Sequence, residues 1–261
     1  MPTVTRLDIA PVRSLGLESR DEIELTELGV VEDRRFYLIG ENDRLVDQLI
    51  VNSLVQVASW TNPEATVLRL SFPDGSVVED DVRLDEEGPR GVIETPIYGR
   101  TAVGHLVEGP WAEALSNFVG RPIRLVRCDR PGGTRAHGHV SLVTDASVDR
   151  LGRHLGVLDV DERRFRMLIG LTGDTPHEED TWTGRLIELG QAILRVGAPI
   201  PRCAMTTHDP DTGERDLDTL RAIKEYRGLS GPESKDLVFG VWAEVERPGR
   251  IRVGDTTAVL G

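Results

Sequence analysis

The sequence predicts a mainly β protein with peripheral helices (α+β), in an antiparallel, barrel-like arrangement. Three observations predict it. Many short runs alternate apolar and polar residues and stop at Gly, Pro, Asn or Asp. Few segments place apolar residues at helical spacing. No Gly-rich loop follows a strand into a helix, so a doubly wound nucleotide-binding sheet is not expected.

Residues 4–12 alternate around Leu7 and Ile9 and read as a strand ending at Pro11, which cannot donate to a ladder. Ile23–Leu28 is a second short strand. Arg35–Gly40, the Glu-Asn-Asp-Arg turn at 41–44 and the return through Leu45 and Val46 read as a hairpin. Val67–Phe72, Pro-Asp-Gly at 73–75 and Ser76–Val78 read as another. Residues 79–91 are acidic and contain Gly and Pro, the composition of an exposed loop. Arg100–Val107 is extended. Pro110–Val119 is the first helix, with Trp111, Ala114, Leu115 and Phe118 at helical spacing and Gly120 as its stop. Ile123–Cys128 alternates as a strand, which makes Cys128 a structural residue. Asp129-Arg-Pro-Gly-Gly-Thr-Arg135 is the best linker candidate. Val140–Thr144 is a strand leading into a helix that Thr144 or Asp145 can cap and that runs to about Leu155. Phe165–Thr172 reads as a strand, and Leu186–Leu189 with Ala192–Val196 as a β-pair. Leu217–Tyr226 is an amphipathic helix, and Leu237–Val245 and Ile251–Leu260 close the chain around a Pro-Gly turn.

With 261 residues the chain can bury one large or two small cores. An apolar content of 39% and a charged content of 29% describe a soluble globular protein. No apolar run approaches the ~20 residues of a membrane span. The first residues, Met1-Pro-Thr-Val-Thr-Arg, lack the apolar centre of a signal peptide. Two cysteines far apart make no disulfide framework, and a cytoplasmic, reducing compartment is expected. The net charge of −13 argues against nucleic acid or an anionic membrane as partner, while leaving room for a local basic pocket.

The chemistry concentrates in Val196-Gly-Ala-Pro-Ile-Pro-Arg-Cys-Ala-Met-Thr-Thr-His-Asp-Pro-Asp-Thr-Gly213. Pro199 and Pro201 bias their predecessors towards extended geometry, so the chain reaches Cys203 stretched out. Arg202 beside it favours a thiolate, the nucleophilic and metal-binding form of cysteine. Asp209–Gly213 reads as a turn. A buried, inert small hydrophobe is the competing reading of Cys203.

This stretch resembles the signature of MOSC domains, closest to the branch containing the mitochondrial amidoxime-reducing component and its bacterial relatives. In that branch an Arg-Cys-x-x-Thr-Thr-x-Asp-Pro-Asp-Thr-Gly run carries the protein ligand to molybdenum. Arg202, Cys203, Thr206, Thr207, Asp209, Pro210, Asp211, Thr212 and Gly213 match it. Matches elsewhere follow the family's order. Arg13-Ser14 stands where Lys-Ser is common, and Asp33-Arg34 matches an Asp-Arg pair before an aromatic strand. Thr144-Asp-Ala-Ser147 resembles Ser-Glu-Ala-Ser at a helix start, Phe165-Arg166 resembles Phe-Arg-Pro-Asn, and Glu179-Asp-Thr-Trp182 resembles Glu-Asp-x-Trp. The resemblance implies an N-terminal β domain over 1–130 and a MOSC β-barrel domain over 131–261. It implies Cys203 as catalytic residue and metal ligand. It implies Arg13, Ser14, Arg34, Thr144, Ser147, Arg166, Arg202 and Thr206 as contacts to a molybdopterin cofactor, with Arg13, Arg34 and Arg166 around its phosphate. The reaction implied is two-electron reduction of an N-hydroxylated small molecule, with electrons from a separate donor protein. A different chemical class uses the same Cys203 without metal, as a nucleophile or sulfur carrier.

Each of these residues has a plainer reading. A single Arg at a strand end is usually a solvated charge. Asp33 can pair with Arg34 or Arg44 on the surface. Glu179 and Asp180 can be solubilising loop residues, and Trp182 reads as core. His137 and His139 at i, i+2 could hold a metal, but no third ligand is evident. The sequence also departs from the family on the cofactor side: Ala136, His137 and Gly138 replace an acid and hydroxyls, Met167-Leu168 replaces Pro-Asn, and Asp47 stands where Arg is usual. These departures leave cofactor occupancy and substrate class open.

Overall fold

The computed structural model describes residues 1–85, 91–231 and 234–260. The alternation around Leu7 and Ile9 becomes the strand Val4–Ile9, with Val4, Leu7 and Ile9 buried. It pairs antiparallel with Ile169–Leu171 and so joins the strands of the second half of the chain. The resulting eight-stranded sheet runs in the order Thr257–Val259, Leu186–Leu189, Ala192–Pro201, Val238–Arg247, Val140–Thr144, Ile169–Leu171, Val4–Ile9, Glu18–Ser19. Val140–Thr144 and Ile169–Leu171 are parallel neighbours, and the helix Asp145–Leu155 lies in the connection between them.

The sheet curls into a half-barrel until its edges meet. An isolated bridge joins Thr3 to Thr256, and Thr257 N donates to Pro2 O at 2.8 Å. Leu7, Ile9, Leu142, Leu171, Ile187 and Val241 fill the interior. Each such side chain stabilises the fold by about 1.5–3 kcal/mol relative to exposure. Glu22–Leu25 pairs with Gly249–Arg252 in a separate two-stranded sheet, so strands from the first 25 residues pair with strands from beyond residue 130.

The remaining N-terminal residues build a second core. Phe36–Ile39 pairs with Arg124–Cys128, which pairs with Arg100–Glu108. Trp111, on the helix Trp111–Val119, is fully buried there, and its indole N–H donates to Leu68 O at 3.0 Å. No helix among the described residues is long and apolar enough to cross a membrane.

Three expectations need correction. The supposed loop at 79–91 begins as the strand Val77–Asp81, paired with Val67–Ser71, and continues as Arg83–Leu84; residues 86–90 of that stretch lie outside the described residues. Exposed and half-buried positions alternate along it, with Val78 and Asp80 on the half-buried side, a pattern that the acidic composition masked. Only Ile169–Leu171 of the expected strand at 165–172 is a strand. Glu162–Phe165 is a 3-10 turn instead, started by Asp161, whose side chain accepts from Arg163 N. Finally, the strands Ala58–Thr61 and Val92–Ile97 were not anticipated. Pro96 obscures the second, which is an outer strand of its sheet.

Candidate functional site

The strand Ala192–Pro201 delivers the cysteine. Its ladder with Val238–Arg247 slips on either side of Pro199, where the prolines offer no N–H, and the strand stops at Pro201. Cys203 follows in extended geometry and opens a short 3-10 turn, Ala204–Thr207. The threonines fasten this turn. Thr206 Oγ1 shares a hydrogen bond with Thr219 Oγ1 at 2.7 Å and donates to Cys203 O at 3.2 Å, while Thr207 Oγ1 donates to Ala204 O at 2.7 Å. Asp209 Oδ1 then accepts from the N–H groups of Asp211 and Thr212. Gly213 is left-handed (φ 76°) and meets Asn52 so closely that a Cβ would lie 2.2 Å from its carbonyl oxygen. Acids in and just after the run hold the neighbouring turn: Asp211 takes Arg163 and Asp216 takes Arg164, each through paired hydrogen bonds of 2.6–2.8 Å. The motif is thus largely a clasp that ties the cysteine turn to the Glu162–Phe165 turn preceding Arg166.

Cys203 is exposed and lines a cleft of about 420 Å³. The same cleft is lined by Arg13, Ser14, Arg34, Arg166, Arg202 and Thr206. Three of these sit in left-handed backbone, Ser14 at φ 74°, Arg34 at φ 54° and Arg166 at φ 50°. Such strain in non-glycine residues persists only where the surroundings impose it, and it clusters at functional sites.

The charges in the cleft are poorly neutralised. Asp33 binds Arg34 through both oxygens at 2.8 and 2.7 Å. The Arg166 guanidinium donates to Leu15 O at 2.7 Å and has no carboxylate partner among the described residues. Burial, then Arg34 and Arg13, push its guanidinium down to about 9. Arg13 is likewise pushed down, by burial first. Arg13 donates through Nη1 to Thr134 O at 2.6 Å, but among the described residues its buried Nε has no partner, and neither has the buried Ser14 hydroxyl. Buried donors without partners are costly, and a dense cationic set facing one cleft calls for an anion. These residues fit a phosphate-bearing group, and the exposed thiol fits a soft metal.

Other expected contacts behave differently. Arg202 lines the cleft, yet its guanidinium is sunk against carbonyls: Nε donates to Phe239 O at 2.8 Å and Nη1 to Phe165 O at 3.1 Å, and burial pushes it down to about 9. Thr206 lines the cleft with its hydroxyl committed to the cysteine turn. Thr144 and Ser147 do not line it at all. Both are fully buried and bind Glu179, whose carboxylate accepts from Thr144 Oγ1 at 2.8 Å and Ser147 Oγ at 2.8 Å. The assignment of these two as cofactor contacts is therefore replaced by a structural one. Glu179 is no loop solubiliser, and burial raises its carboxyl above the ordinary range. Trp182 is core, as expected.

Asp33 is not a surface acid. It is buried, accepts from Ala10 N at 2.9 Å, and bridges Arg34 to Arg135. Arg135, at the end of the expected linker, is buried too and donates to Leu28 O and Val30 O. Gly29 and Gly132, both left-handed, make room for it: a Cβ on either would lie 2.7 or 2.5 Å from its Nη1. Of the departures from the family, Ala136, His137, Met167 and Leu168 line the cleft, whereas Gly138 and Asp47 do not. His139 Nδ1 accepts from Val245 N at 3.1 Å, and no metal-holding group of three or more His, Cys, Asp or Glu occurs among the described residues.

Cys128 is buried at 1% exposure, and burial raises its thiol. Cys128→Ser should cost about 1–2 kcal/mol, the penalty of burying a hydroxyl with partial compensation. It should leave alkylation of Cys203 by iodoacetamide at the wild-type rate. A change in that rate with the fold preserved would couple the two cysteines.

Comparison with known proteins agrees with this geometry. Residues 129–258 match the MOSC domain. Human mitochondrial amidoxime reducing component 2 is 39% identical across 97% of this chain and 82% of its own length. The Bos taurus protein of the same name is 28% identical over 97% of this chain and 82% of its own. Molybdenum cofactor sulfurase of Caenorhabditis briggsae is 26% identical over 93% of this chain, which spans 33% of that protein. With its cysteine run fastened at the mouth of a basic cleft and its relatives aligned over nearly the whole length, this chain belongs to the MOSC-domain family, alongside the mitochondrial amidoxime reducing components.

Proposed function

We propose that this chain is a cytoplasmic, molybdenum-cofactor-dependent oxidoreductase that reduces N-hydroxylated small molecules with electrons from a separate donor protein. The observation that carries the reading is convergence. Arg13, Arg34 and Arg166 lie far apart in sequence, yet they line one cleft with the exposed Cys203 thiol, and the buried Arg13 Nε and Ser14 hydroxyl there have no partner among the described residues. Arg13, Ser14, Arg34 and Arg166 would hold the phosphate, and Cys203 would be the protein's thiolate ligand. The bound cofactor would supply two-electron oxygen-transfer chemistry. In the overall reaction the N–O bond breaks, two electrons come from the donor protein, two protons are taken up, and the oxygen leaves as water. The chain's part is to fix the cofactor, present the thiolate and leave the mouth open to substrate. Relatives named amidoxime reducing component support the substrate class.

Protein produced with molybdate should carry about one molybdenum per chain by elemental analysis. Arg166→Ala should retain about ten- to a hundredfold less molybdopterin, the effect of losing one charge-assisted phosphate contact. The cofactor-free variant should remain folded, so that lost molybdopterin reports the contact and not the fold. Equal molybdopterin content in parent and variant would contradict the placement. Metal-free wild-type protein bearing a persulfide on Cys203 would instead make the chain a sulfur carrier.

A further inference from the structure

We propose that Tyr98 and Leu49 form an apolar clamp at the cleft mouth that selects substrates carrying a flat ring beside the reacting group. This rests on the reductase reading above and specifies the substrate class of the same site.

Tyr98 and Gly99 are the two-residue tip of the hairpin Val92–Ile97 and Arg100–Glu108, with Ile97 opposite Arg100. Both tip residues have positive φ, 48° and 77°, the pattern of a type I′ turn. Asn, Asp or Gly is favoured at the first position, and a bulky aromatic there is strained. The strained ring does not serve the core: Tyr98 is 55% exposed. It points into the cleft that Cys203 lines, with the Arg13 guanidinium 5.0 Å from its centroid.

The tip is held there from two sides. Arg100 donates to Ala136 O at 2.9 Å and to Arg135 O, which ties the hairpin to the cleft wall. Thr95 Oγ1 donates to Asp43 O at 3.2 Å, which ties it to the 41–46 turn. Leu49 lines the same cleft from another loop, is 42% exposed, and is set by its N–H donating to Asp47 Oδ1 at 3.0 Å. Two large side chains, held on separate loops and left open to solvent, share a cleft whose remaining wall combines arginines with Phe165, Met167, Leu168 and Ile200. A ring lying on Tyr98 and against Leu49 would remove both from water while its polar group extends towards Cys203.

The test uses cofactor-loaded protein and two probes with the same reacting group, benzamidoxime and acetamidoxime. Wild type should favour benzamidoxime in kcat/KM. Tyr98→Asn, which suits the turn better, should lower the benzamidoxime-to-acetamidoxime ratio of kcat/KM by about five- to thirtyfold, the size of one lost ring contact. Tyr98→Phe, which keeps the ring, should keep the ratio. An unchanged ratio in Tyr98→Asn at equal cofactor content would overturn the clamp. If loaded wild-type protein reduces neither probe, the reductase reading falls. The clamp is then judged by calorimetric binding: benzamidoxime should bind wild type and weaken by the same factor in Tyr98→Asn, and equal or absent binding would overturn it.

Discussion

Asp33→Ala should destabilise the protein by about 3–5 kcal/mol, the cost of leaving buried charges without their partner. Asp33 is 1% exposed and is held between Arg34 and Arg135. Burial alone would raise its carboxyl, but the two guanidinium groups and the Ala10 N–H outweigh burial and hold it below the ordinary range. Removing it strands Arg135, itself 5% exposed, and releases Arg34 beside Arg166 and Arg13. The pH dependence follows from the direction of the shift. A carboxyl lowered in the folded state contributes stability that is present above its unfolded value, about 3.9, and lost as pH falls through the lower folded value. Urea midpoints at pH 7 should fall sharply in Asp33→Ala, and Asp33→Asn should lack part of the stability loss that wild type shows as pH falls below about 4. A loss below about 1 kcal/mol would mean that Asp33 behaves as a surface ion pair.

The same residue shows where sequence reading stops. An Asp next to an Arg has a local explanation, and a Gly-Gly-Thr-Arg run has a linker's composition, so neither pointed to a partner about a hundred residues away. The signal was present in Gly29 and Gly132, but it needs the third dimension: their missing side chains matter only because Arg135 passes between them. Thr144 and Ser147 were misread for a related reason. A hydroxyl at a helix start suits an anion, and here the anion is the protein's own Glu179.

Other parts were legible. Pro199 and Pro201 announce an extended approach to Cys203, and the structure has one, with ladder slips flanking Pro199. The alternations at residues 4–12 and 123–128 and the apolar run at 140–144 appear as the strands Val4–Ile9, Arg124–Cys128 and Val140–Thr144, the last two lying between cores: Leu125 and Val126, like Leu142 and Val143, pack into different clusters. Gly120 ends its helix in left-handed geometry, as a glycine stop should. Arg13, Arg34 and Arg166 were linked through family resemblance, since no local pattern joins three arginines from three segments. Tyr98 was missed because an aromatic at a turn tip carries no periodicity.

The measurement that bears most directly on the central claim compares wild type with Cys203→Ser. If Cys203 is the thiolate ligand, the variant should stay folded and keep its cofactor, because Arg13, Ser14, Arg34 and Arg166 are untouched. Its turnover should fall by more than about a hundredfold, beyond what is typical for residues that only support a ligand. X-ray absorption at the molybdenum edge should show one sulfur scatterer fewer in the variant, with a hard oxygen in its place. Molybdenum-containing wild-type protein whose absorption spectrum and turnover are both unaltered by Cys203→Ser would contradict the account.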